Sequence, residues 1–150
     1  MEKLSLQELQ PLILDWAREK NLLFEENAPK QYLKLVEECG ETAHAILKND
    51  IQKIKDGLGD IFVVLVIYFE QTKQNIDFNF VEPDNVFEHG VMLYSILGFA
   101  MQEYNENNTF EWLNDLCLSL NLDLTECANL AWNEIKDRKG KTVNGTFIKN

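Results

Sequence analysis

Apolar residues recur at helical spacing along nearly the whole chain, and the breaks between periodic stretches are short and polar. Leu6, Leu9, Ile13, Trp16 and Ala17 set the first helix. Ser5 with Glu8 forms a capping box ahead of it, with Leu4 and Leu9 placed as a hydrophobic staple. Pro11 would kink or restart this helix. Asn27-Ala28-Pro29 ends the pattern and opens a second helix, running to about Lys48. Asn49-Asp50 is a tight connection, and Asp50 caps a third helix to about Lys73. The longest apolar run, Ile61 to Phe69, is too short for a bilayer, which takes about 20 residues, and reads as a buried helix segment.

Residues 74–84 read as a loop. A fourth helix is predicted from Asn85 to Tyr104, ended by the polar residues 105–108. Asn108 or Thr109 caps a fifth, to about Leu120. Asp123 with Glu126 is a second capping box and opens a sixth helix to about Arg138, with Gly140 as its C-terminal cap. Asn144-Gly145 signals a turn between short extended pieces. The expected fold class is all-α: one domain, residues 1–150, a helical bundle built on an antiparallel helix pair.

Candidate chemistry lies on helices two and three. Leu33, Val36, Cys39, Gly40, Ala43 and Leu47 share one stripe of the second helix, and Glu37, Glu38 and Glu41 occupy the adjacent arc. On the third, Asp56 and Asp60 share a face. Antiparallel pairing about Asn49 brings Glu38 level with Asp60, and Glu41 level with position 57, beside Asp56. Four carboxylates can therefore converge between two helices, with Glu37 close by. Like charges at 4 Å repel by about 4 kcal/mol at an effective dielectric near 20, so the acids protonate, turn to water or share a hard cation. An all-oxygen donor set favours Mg²⁺, with Mn²⁺ as the alternative. Gly40, Gly57 and Gly59 lie inside helices at a cost of about 1 kcal/mol each, which close backbone approach would offset. The competing reading is a solvated face in which Lys34 pairs with Glu37 and Glu38. A di-iron bundle would need two Glu-x-x-His motifs. Glu41-Thr-Ala-His44 has no second copy, and His44 reads as a stripe-edge residue.

Charge changes the picture further. The net charge of -11 argues against nucleic-acid binding, which rests on positive charge. Yet residues 136–150 hold Lys136, Arg138, Lys139, Lys141 and Lys149 against Asp137 alone. An acidic body with a basic tail can bind the metal end and the charged end of one anionic ligand. The three cysteines, without CxxC spacing, fit reduced thiols in the cytoplasm, and Met1-Glu-Lys-Leu-Ser predicts no secretory signal. Neither a Gly-rich phosphate loop nor a nucleophilic triad is legible.

The segment EECGETAHAI followed by KDGLGDIFVVL resembles the MazG-like all-α nucleoside triphosphate pyrophosphohydrolases, whose signature is an ExxE helix followed by an ExxD helix. Glu38 and Glu41 match the first pair and Asp60 the final Asp. AWNEIKDRKGKTVNGTFIKN resembles the end of short, phage-type members. Gly57 stands where the family has Glu, with Asp56 one residue early, and residues 76–120 resemble an inserted helical pair. The resemblance implies Mg²⁺-dependent hydrolysis of a nucleoside triphosphate to monophosphate and pyrophosphate, in a dimer or tetramer. It implies Glu38, Glu41, Asp56 and Asp60 as metal ligands, and Glu41 or Glu37 as the group that activates water. Asn133, Lys136, Arg138, Lys139 and Asn144 would contact the substrate, and Trp16 or Trp132 could stack a base. Gly57 leaves open a second reading, a nucleotide-binding or regulatory module of the same fold without turnover.

Overall fold

The computed structural model describes residues 3–83, 85–102 and 108–150. Its elements are α1 (Leu6–Glu19), a 3-10 turn (Glu25–Asn27), α2 (Ala28–Leu47), α3 (Ile51–Gln71), α4 (His89–Ala100), α5 (Asn108–Ser119) and α6 (Leu124–Ile135). An antiparallel hairpin of β1 (Gly140–Val143) and β2 (Thr146–Lys149) follows. The fold is all-α apart from this small ribbon.

Helix α3 is the spine. Every residue from Ile61 to Phe69 is buried, because α1, α2 and α6 pack around it. Phe110 of α5 closes the far end, with ring centroids 5.0 Å from Phe69 and 5.9 Å from Phe62. Helix α4 pairs with α5 and leans on α2, where Tyr32 Oη donates to the Leu97 carbonyl at 2.7 Å. Among the described residues no helix is long and apolar enough to cross a membrane.

The capping box at Ser5 forms in both directions. Helix α1 runs through Pro11 without a restart; Pro11 and Gln7, whose carbonyl loses its partner there, both face water. Helix α4 begins at His89, not Asn85, and ends at Ala100; the expected end at Tyr104 lies outside the described residues, as does the polar break at 105–107. Asp123 caps α6 through Thr125 N alone, because Glu126 reaches instead to Lys55, at 3.2 Å. Helix α6 stops at Ile135, short of Arg138. Gly140 does not cap it but opens β1 at φ 158°, where a Cβ would fall 2.2 Å from the Ile148 carbonyl oxygen.

The stripe on α2 is rotated from its expected role. Leu33, Val36 and Leu47 are 60%, 41% and 80% exposed. The buried side carries Gln31, Leu35, Glu38, Cys39, Thr42 and Ala45. Helix α2 thus turns polar groups inward, toward α3 and a cavity beside it.

Candidate active site

The α2–α3 hairpin positions the acids. Asn49 turns the chain in the left-handed region (φ 53°), and Asp50 caps α3 by accepting from Lys53 N. Thr42 Oγ1 donates to the Glu38 carbonyl at 2.8 Å, and a Cβ on Gly57 would fall 2.2 Å from Thr42 Oγ1. The two helices therefore meet at Thr42 and Gly57, within one residue of the expected level. A glutamate at 57 would run into Thr42, which accounts physically for the glycine found there. Gly59 serves a different contact: its Cβ would lie 2.1 Å from the Cys127 carbonyl oxygen of α6. Gly40 faces open space, so close approach explains two of the three helical glycines.

A cavity of about 240 Å³ opens between α1, α2, α3, the end of α6 and the hairpin. Glu38 and Asp60 line it together with four cations, Lys30, Lys34, Arg138 and Lys149. Glu38 is 6% exposed; its Oε1 lies 3.1 Å from Lys34 Nζ, and its buried Oε2 has no partner. Burial pushes the Glu38 carboxyl above its usual range; Lys34 opposes this, while Glu41 and Glu37 add to it. Asp60 is pushed up to about 7, first by burial, then by the charges of Glu38, Glu134 and Asp56, with Arg138 opposing.

A second, outer pocket of about 590 Å³ is lined by Glu37, Glu41, His44, Lys53, Asp56 and Asp60. Asp60 borders both spaces. Glu37 and Glu41 are exposed, and Asp56 accepts from Gln52 at 3.1 Å. The structure therefore brings Glu38 and Asp60 to one cavity and Glu37, Glu41, Asp56 and Asp60 to the other. Among the described residues no group of three His, Cys, Asp or Glu side chains is gathered tightly enough to hold a metal ion. The donor chemistry fits a hard dication all the same: the acids supply oxygen only, Glu38 Oε2 is buried and unpaired, and Asp60 is driven toward its neutral form. A cation between α2 and α3 would relieve both.

Arg138 alone of the five expected substrate residues lines the inner cavity, its guanidinium also bound to Glu134 at 2.8 Å. Asn133, Lys136 and Lys139 do not line it, and Asn144 borders a neighbouring groove with Asn21 and Phe24. The hairpin contributes Phe147 and Lys149 instead. It is anchored by Thr142 Oγ1 donating to the Lys20 carbonyl at 2.6 Å and by Phe147 set edge-on to Trp16, with centroids 4.9 Å apart. Trp16 lines the cavity and Trp132 does not. Sequence reasoning missed Lys30 and Phe147, and it counted Lys149 in the basic tail without singling it out. A signal for the first was available: Lys30, Lys34 and Glu38 stand four residues apart and share a face of α2.

Residues 27–87 match the family model of the MazG nucleotide pyrophosphohydrolase domain. That stretch spans α2 and α3 and carries both Glu38 and Asp60. An uncharacterized 18.2 kDa protein from the rep-hol intergenic region of Haemophilus phage HP1 (strain HP1c1) is 44% identical over 66 residues, covering 44% of this chain and 40% of the phage protein. The chain thus matches well under two thirds of that relative's length. No solved structure matches it.

Proposed function

We propose that the protein hydrolyses nucleoside triphosphates, ribo- or deoxyribo-, to monophosphate and pyrophosphate with Mg²⁺, or Mn²⁺ in its place. One observation carries this reading: within the family-matched hairpin, Glu38 and Asp60 line a cavity shared with four cations and an apolar wall that includes Trp16 and Phe147. Glu38, Glu41, Asp56 and Asp60 would hold the metal. When bound, Mg²⁺ neutralises phosphate charge and lowers the pKa of the attacking water. Glu41 or Glu37, exposed beside the acids, orients that water and takes its proton. Lys30, Lys34, Arg138 and Lys149 hold the phosphates, and the apolar wall takes the nucleoside and excludes water.

The exposed apolar stripe Leu33, Val36 and Leu47 supports a homo-oligomer, dimer or tetramer, and three buried free thiols fit a cytoplasmic protein. Leu47→Asp should lower the sedimentation coefficient if that stripe is the interface.

The test is pyrophosphate release across the common NTPs and dNTPs with Mg²⁺ or Mn²⁺, with products identified. Turnover of at least one nucleotide is expected. The second reading, a nucleotide-binding module without turnover, is favoured by the Thr42–Gly57 contact, which bars a carboxylate at 57. Its signature is thermal stabilisation by nucleotide with no pyrophosphate released.

A further inference from the structure

Lys34 already sits beside Glu38, one of the acids that would hold a metal. Its ammonium pairs with Glu37 and lies 3.1 Å from Glu38 Oε1, so a side-chain cation occupies the gap between two acids. The same ammonium lines the inner cavity alongside Lys30, Arg138 and Lys149. The side chain is about half exposed, at 46%, and its flexible four-carbon stem can swing between acid and cavity. Glu38 has no such freedom: it is buried, and its second oxygen lacks any donor. Lys34 therefore cannot leave without uncovering a buried carboxylate, unless another cation takes over. Nor can a dication sit on Glu38 comfortably while the ammonium remains, because the two repel. An anion in the cavity resolves both conditions at once.

We propose that Lys34 is a stand-in cation: it neutralises Glu37 and Glu38 while the site is empty and moves to a substrate phosphate as a divalent metal takes its place, so that metal and triphosphate bind cooperatively. The idea rests on the pyrophosphohydrolase reading above and adds to it an order of events. Bare protein binds metal weakly, and the nucleotide is what releases Glu38. Lys34 acts here as a positioning residue for the metal.

The experiment measures Mn²⁺ binding by electron paramagnetic resonance to nucleotide-free wild type, Lys34→Met, Lys34→Arg and Lys53→Met. Lys53 lines the outer pocket and controls for the loss of one positive charge near the same acids. Lys34→Met should tighten Mn²⁺ binding by about tenfold or more, while Lys34→Arg stays near wild type and Lys53→Met moves less. In EDTA, α,β-imido analogues of the dNTPs should stabilise Lys34→Met less than wild type against heat. Equal Mn²⁺ affinity in wild type and Lys34→Met overturns the proposal, and so does an equal gain in Lys53→Met. Should wild type bind neither Mn²⁺ nor any of the analogues, the functional reading itself fails and takes this one with it. Binding of both by wild type with no effect at Lys34 sinks this inference alone.

Discussion

The two sides of the α2–α3 hairpin carry similar acids in different surroundings. On the inner side Glu38 and Asp60 are pressed against α1, α6 and the tail hairpin, beside four cations, and their carboxyls are pushed up by burial. On the outer side Glu37, Glu41 and Asp56 face an open pocket, next to an exposed apolar stripe and a glycine with nothing near it. Acid spacing alone therefore does not locate chemistry. What separates the sides is desolvation together with cations near enough to receive an anion.

The largest effect is expected from neutralising one inner acid. Glu38→Gln or Asp60→Asn should lower pyrophosphate release by about a thousandfold or more, with the helical circular dichroism signal unchanged. Turnover near wild type in either variant would remove the inner side from the site. Next come the glycines. Gly59→Ala should destabilise the fold by about 2–3 kcal/mol in urea melts, since its methyl meets a carbonyl of α6. Gly40→Ala should stabilise by about 0.5–1 kcal/mol, since only helix propensity changes there.

Acidity gives a third handle. With its pKa raised from 3.8 to about 7, Asp60 keeps a proton in the folded protein that the unfolded chain has already lost. Stability without metal therefore falls as pH rises across that window. Asp60→Asn should match wild type near pH 4 and exceed it by about 1–3 kcal/mol at pH 8, read by thermal melts. The smallest expected effect concerns the tail: Arg138→Ala should reduce kcat/KM by about tenfold and Lys139→Ala by no more than about twofold, because of these two neighbours Arg138 lines the cavity and Lys139 does not.

The helices and their pairing were legible because they rest on local signals: the capping box at Ser5, Pro29 in a first turn, Asp50 at an N-cap and the apolar run of α3. Matching levels on the pair place Glu38 beside Asp60 from sequence spacing alone. What escaped depends on contacts distant in the chain. The outward turn of Leu33, Val36 and Leu47 follows from how α2 meets α3 at Thr42 and Gly57, which amphipathicity does not encode. Among the tail residues, charge pointed to the right segment but, Arg138 apart, not to the side chains that line the cavity. The hairpin turn at Asn144-Gly145 decides that Phe147 and Lys149 face Trp16 and the cavity, while Lys136 and Lys139 stay in water. Lys34 was visible as a partner of the acids, and its second neighbourhood was not.

Thr42 and Gly57 also constrain how this chain can change by descent. A glutamate introduced first at 57 collides with the threonine hydroxyl, whereas a smaller residue introduced first at 42 gives up one hydrogen bond and clears the space. A chain that changes one position at a time avoids that collision by altering position 42 before position 57.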